Sequence, residues 1–201
     1  MNTLSKTENR TLMTQARESL MGKWGLAIGT LVVYGLIMLC LNLIPIAGAV
    51  VSILIAGPMA IGLAIFALSI SRKQDSKLSQ IFNGFDKFGV GLGAYLLQMI
   101  FIILWLLLLI VPGIIAALSY SLTFYIIAEN NSIGPLEAIK KSKEMMQGNK
   151  GKLFCLGCRF IGWALLCILT LGIGLLWLMP YAMVSFAKFY DDVKGQEAVI
   201  V

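Results

Sequence analysis

The sequence predicts an all-α integral membrane protein, with six transmembrane helices as three hairpins, each preceded by a cytoplasmic amphipathic helix. Three observations carry that prediction. Charge is scarce: 13% of the 201 residues are charged and 59% are hydrophobic, whereas a soluble domain carries about 25% charged residues. The scarcity is concentrated in blocks. Trp24 to Ser71 and Gly89 to Ala128 contain no Asp, Glu, Lys or Arg, and Leu153 to Ala187 contains only Arg159. Each block also suits two crossings, since a helix spans the ~30 Å hydrocarbon core in about 20 residues.

The helices are expected near residues 25–43, 48–71, 90–110, 113–128, 153–170 and 174–190. Their boundaries follow from breaks inside the blocks: "NLIPIAGA" (Asn42 to Ala49), "IVPGI" (Ile110 to Ile114) and "LTLGIG" (Leu169 to Gly174). Proline lacks a backbone donor and glycine permits the turn, so each break ends one helix and starts the next. The first 23 residues are polar and amphipathic, and the first apolar block is too long for the hydrophobic region of a signal peptide, so none is expected.

Charge sets the expected orientation. All the Lys and Arg residues except Arg159 fall in the N-terminus, residues 72–88, residues 129–152 and the tail from Lys188. The three hairpin turns carry none. Such alternation follows the positive-inside rule and puts both termini in the cytoplasm. The formal net charge of +6 could suggest nucleic acid. The charges hug the membrane ends, however, and anionic lipid headgroups are the expected partner, at about 1 kcal/mol per well-placed Lys or Arg. No nucleic-acid partner is expected.

The segments before the blocks resemble one another. Gly22, Gly84 and Gly148 each follow an amphipathic stretch and precede an apolar block, and the breaks recur near Gly48, Gly113 and Gly174. The chain therefore reads as a single membrane domain, 1–201, with possible internal repeats at 1–71, 72–128 and 129–192. On a helical period Leu12, Met13, Ala16, Leu20 and Trp24 share one face. Leu78, Ile81, Phe82, Phe85 and Phe88 share another, and Leu136, Ile139 and Met146 a third. These faces are expected to lie on the membrane, with basic side chains toward the headgroups.

Candidate lipid-headgroup contacts are Lys140, Lys141, Lys143, Lys150, Lys152 and Arg159. Arg159 lies about 10 Å into its helix, close enough for its side chain to snorkel to the interface, and Glu129 and Asp191 are possible partners. A candidate intramembrane polar cavity is formed by Ser119, Tyr120, Ser121 and Tyr181, because Gly57-Pro58, Ser119-Tyr120-Ser121 and Pro180-Tyr181 hold similar places in the second helix of each unit. The competing reading is close helix packing, with the hydroxyls bonded to backbone. Gln98 needs a partner in its apolar helix. Trp24 and Trp177 suit the interfacial belts.

Cys155 and Cys158 form a CxxC, but the chain has no second CxxC and no histidine. Two thiols do not complete a zinc site, so all four cysteines are expected to pack as small membrane residues. No cofactor or metal is expected. Histidine-based acid–base chemistry, HExxH, a P-loop and GxSxG are all missing from the sequence, and no acidic residue lies within an apolar block. The expectation is a protein that is not an enzyme.

The run "VPGIIAALSYSLTFYIIAEN", followed by "EAIKKSKEMMQGNKGKLF", "FIGW", "LTLGIGLLWLMPY" and a final "FY", resembles the bacterial integral membrane proteins grouped as domain of unknown function 975. The resemblance is densest from Phe85 to Tyr190, and it implies a six-helix protein of the bacterial inner membrane without an established activity. It departs at Arg159, where a small or hydroxyl residue is expected before "FIGW". A looser similarity is to the membrane domain that accompanies glycerophosphodiester phosphodiesterases, which hints at lipid-related biology. The reading is a non-catalytic membrane protein that binds lipid or a membrane protein partner in envelope homeostasis or protection. The alternative is a small-solute transporter or channel with a passive path. Coupled transport usually leaves an acidic residue within the membrane, and none is present.

Overall fold

The computed structural model describes residues 4–44, 47–170 and 172–198, with the side chains of 196–198 excepted. Pro45 and Ile46 of the first break and Leu171 of the third lie outside the described residues. Every regular element among the described residues is a helix. A short helix, α1 (Asn9–Leu20), precedes the hairpin of α2 (Trp24–Asn42) and α3 (Ala47–Ser71). A 3-10 helix (Leu78–Lys87) leads into α4 (Phe88–Leu108), which pairs with α5 (Ile110–Tyr120) and α6 (Thr123–Glu129). Then come α7 (Pro135–Met145), α8 (Lys150–Ile168) and α9 (Leu175–Ala198).

Among the described residues, five stretches are long and apolar enough to cross a membrane: 24–42, 47–71, 78–108, 110–129 and 150–168. The remaining long helix, α9, begins apolar and continues through Lys188, Asp191, Asp192 and Lys194, so it runs past the predicted end at 190. Two other differences from the expected elements have local causes. The fourth helix starts at Ile110 rather than 113, because Pro112 falls in its first turn, where a missing N–H costs no helical bond. It is also interrupted at Ser121-Leu122.

The exterior is that of a protein in an apolar solvent. Leu43, Leu107, Ile110 and Leu169 are each more than 70% exposed, beside many other open Leu, Ile and Trp side chains. Water would penalise this surface at roughly 25 cal/mol per Å² of apolar area, and soluble monomers rarely leave such patches contiguous.

Helix α3 is the axis of the bundle, touching α1, α2, α4, α6, α9 and the 3-10 helix. Small residues let its neighbours approach closely, as is usual where lipid supplies no hydrophobic drive between helices. Gly57 meets the backbone of Gly91, Gly62 meets that of Ile81, and Gly84 meets the Pro58 carbonyl. Added side-chain atoms at these positions would overlap backbone. Buried Phe66, Ile70, Ile81 and Val184 fill one side of the core, and Leu122, Ile126, Leu156, Phe189 and Tyr190 the other.

The hairpin glycines share one geometry. Gly48 abuts Leu41, Gly113 abuts Leu106 and Gly174 abuts Cys167, so each lies against the residue seven positions earlier, two helical turns back across the bend. The glycines ahead of the hairpins do not all match. Gly22 and Gly148 end α1 and α7 with φ of 77° and 80°, a conformation that favours glycine. Gly84 lies inside the 3-10 helix and serves close packing instead.

The expected amphipathic faces are also divided differently. Leu12, Ala16 and Leu20 of α1, and Ala138, Ile139, Ser142 and Met145 of α7, are buried. Helix α1 packs on α9, α3 and α8, and α7 packs on α4, α5 and α6, so these faces meet protein. In the 3-10 helix the period is 3.0, not 3.6, and residues three apart stack. Ile81 and Gly84 therefore face α3, while Phe82, Phe85 and Phe88 form a separate exposed row.

Candidate functional site

The charged segments meet at one end of the bundle, where the second helices of the three pairs finish. Arg72, just past α3, donates to Glu129 at the end of α6 (2.5 Å) and to Asp191 of α9 (2.6 Å). Glu129 also accepts from Lys194 at 2.6 Å and from the Tyr190 hydroxyl at 2.5 Å. Partial burial works to lower the Arg72 pKa, but the hydrogen bonds and charges of Asp191 and Glu129 outweigh it and raise it. The guanidinium is thus permanently charged. Lysines finish the helix ends: Lys188 donates to the Ser71 carbonyl, and Lys87 to the carbonyls of Ile127, Ala128 and Asn130. Cations suit these positions because the last carbonyls of a helix lack internal donors and carry its negative end.

A second junction ties the N-terminal segment to this end. Asp192 accepts from Ser5 and Thr7 and pairs with Lys152 at 3.6 Å. The Asn9 side chain donates to the Lys152 carbonyl at 3.0 Å. Alongside it opens a crevice of about 380 Å³ whose lining includes Glu8, Arg10, Lys152, Cys155 and Arg159. Lys152 and Arg159, both expected headgroup contacts, come together there beside Arg10 and Glu8. Glu129 and Asp191 bond Arg72, so they do not serve Arg159. Among the described residues no ion pair reaches Arg159, which is exposed on α8.

The other predicted headgroup contacts are spread along one side of α7 and the start of α8. Lys140 and Lys143 are exposed, Lys141 and Lys150 half-buried, and none forms an ion pair among the described residues. Of the cysteines, Cys40, Cys155 and Cys158 are exposed and Cys167 is half-buried, all as free thiols. The expected packing role therefore does not describe the first three.

Ser119, Tyr120, Ser121 and Tyr181 do not converge. Ser119 donates to Ile115 and Ser121 to Leu118 of their own helix. The Tyr120 ring packs against Phe101, 6.2 Å between centroids. Ser121 lines an apolar crevice with Leu118, Tyr125, Phe154 and Phe186, whereas Tyr181 lines a different groove with Trp163 and Trp177. Close packing with backbone-bonded hydroxyls describes the serines better than a shared polar cavity.

The break at Ser121-Leu122 explains two polar residues. The Ser142 hydroxyl accepts from the Leu122 N–H at 3.2 Å and donates to the Ser119 carbonyl at 2.8 Å. Gln98, the residue expected to need a partner, donates to the Tyr120 carbonyl at 3.1 Å. Ser142 was not singled out from the sequence, although it lies three residues from Ile139 and four from Met146, a polar residue on an apolar face. Replacing it with alanine leaves two buried backbone groups without those bonds, at about 1–3 kcal/mol for each unsatisfied group. We expect Ser142→Ala to lower detergent-state stability by about 2 kcal/mol in a denaturant titration, and Ser142→Thr to keep most of it.

An all-helical chain with several lipid-type helices, joined by charge at one end, is a membrane protein in class. The family model described as "Protein of unknown function (DUF975)" matches residues 97–197. The chain belongs to that family. No curated protein and no solved structure matches it.

Proposed function

We propose that the chain is a non-catalytic, six-span protein of the bacterial inner membrane that binds anionic lipid headgroups at its charged end. In this reading α9, with the turn that leads into it, is the sixth crossing as far as about residue 190, and the termini face the cytoplasm under the positive-inside rule. The carrying observation is the crevice where Arg10, Lys152 and Arg159 gather beside a single lining carboxylate, Glu8. Lys140, Lys141, Lys143 and Lys150 add cations on α7 and α8 that have no carboxylate partner among the described residues. A guanidinium beside an ammonium suits a phosphate, which Arg can grip with two parallel hydrogen bonds. Such binding fits a role in envelope homeostasis or protection, alone or with a membrane protein partner. The alternative, a passive path for a small solute, needs a shared polar cavity, and Ser121 and Tyr181 line separate spaces.

The test is flotation of the purified protein with phosphatidylglycerol and phosphatidylcholine liposomes across a salt series. Three charges at about 1 kcal/mol each make Lys140→Gln/Lys141→Gln/Arg159→Gln about a hundredfold weaker on the anionic liposomes. Binding that ignores both salt and these substitutions would sink the proposal.

A further inference from the structure

A groove of about 360 Å³ runs between α8 and α9, closed on one side by Trp24 at the start of α2 and by Arg17 of α1. Its walls include Trp163, Trp177 and Tyr181, and it ends at the third hairpin turn, where Gly174 abuts Cys167. From the turn at Gly174 into α9 as far as Tyr181 is seven residues, about 10 Å at the helical rise. Trp163 and Trp177 are each more than half exposed, so the groove is open sideways to the surrounding solvent, which for these helices is lipid.

Its chemistry is one-sided. An indole N–H only donates, a guanidinium only donates, and a phenol readily donates. No protein acceptor meets Arg17, the Tyr181 hydroxyl or the three indoles among the described residues, and Arg17 forms no ion pair there. The Tyr181 ring is held edge-on by Phe160, 5.5 Å between centroids, which fixes the phenol at the groove. The walls are therefore apolar and aromatic, the polar atoms are donors, and the fixed charge lies at one end. An occupant must be mostly hydrocarbon and must carry acceptor oxygens with a negative charge at that end.

We infer that this groove holds one anionic phospholipid, its phosphate on Arg17 and an acyl chain along Trp163 and Trp177. The site is distinct from the rim of Lys140, Lys141 and Arg159, and it rests on the membrane reading proposed above. Charge complementarity selects the occupant. A zwitterionic lipid would set its own ammonium beside Arg17, so an anionic headgroup is the match for this end of the groove.

The experiment is native mass spectrometry of the full chain released from nanodiscs containing equal phosphatidylglycerol and phosphatidylcholine. A companion measurement is tryptophan quenching by the same two lipids with brominated chains at low mole fraction. The expected result is one retained phosphatidylglycerol and preferential quenching by its brominated form. Retention should fall about tenfold in Arg17→Gln, the loss of one charge-assisted contact, and be kept in Arg17→Lys and in the rim triple variant. Equal retention by the wild type and Arg17→Gln, or equal quenching by the two brominated lipids, would overturn the site. Loss of the adduct in the rim variant but not in Arg17→Gln would assign the lipid to the rim and also overturn it. Failure of the chain to partition into bilayers at all would instead sink the membrane reading.

Discussion

Gly84→Ala is expected to be strongly damaging for so small a substitution, lowering the Tm in detergent by about 10 °C. A Cβ on Gly84 would fall within the Pro58 carbonyl and against the Gly62 amide. Both obstacles are backbone, held in the middle of α3, so no side chain can swing aside. Overpacking costs typically 1–3 kcal/mol, sometimes more, and a rigid backbone neighbour puts this case at about 3 kcal/mol. At roughly 2–4 °C per kcal/mol for a chain of this size, the shift is easily measured. Gly151→Ala is the control, because nothing lies within 4 Å of its added Cβ. A Gly84→Ala protein as stable as that control would refute the close approach of the 3-10 helix to α3.

The second large effect is at Arg72. Arg72→Met removes a guanidinium shared by Glu129 and Asp191 and leaves both carboxylates with fewer cations. Breaking a fully buried pair costs 3–5 kcal/mol, but the Arg72 side chain is 33% exposed, and solvent screening reduces that. We expect about 2 kcal/mol, or roughly 5 °C. The sign with pH is fixed. Because Arg72 stays charged, the bridge fails when its carboxylates are protonated, so its stabilisation is present at neutral pH and is lost as the pH falls. Partial burial works to raise the Glu129 pKa, but the hydrogen bonds of Lys194, Tyr190 and Arg72 outweigh it and lower it. The gap between wild type and Arg72→Met should therefore begin to narrow only below the ordinary carboxylate range and close as the pH falls through the lowered Glu129 pKa. A gap that stays constant between neutral and acid pH would mean that Arg72 contributes by packing rather than by charge.

The apolar blocks and their breaks were legible because composition and length dictate them, and the long helices lie within a few residues of where the sequence puts them. Local signals also read true at Pro135, the first residue of α7, and at Gly148, just beyond it. The partnerships were not legible. Arg72, Glu129 and Asp191 are separated by 57 and 62 residues, and nothing in the spacing of charges says that one guanidinium at the end of α3 joins α6 and α9. The row of Phe82, Phe85 and Phe88 was hidden by a period: a 3.6-residue template merges it with Ile81, and a 3.0-residue one separates it. The groove at Arg17 escaped because it draws on four helices, and three of its aromatic residues have ordinary explanations as belt or packing residues when taken singly.

The attachment of Ser5 and Thr7 to Asp192 has a consequence for the order in which the molecule can be completed. The two partners are about 185 residues apart in the chain. A ribosome adding roughly 5–20 residues per second makes the first some ten to forty seconds before the second. During that interval α1 has no α9 to rest on, and Leu12, Ala16 and Leu20 have only α3 and then α8 to cover them. The attachment of the Ser5–Thr7 segment is thus completed only once Asp192 has been made, and a chain that stops short of Asp192 leaves Ser5 and Thr7 without that partner.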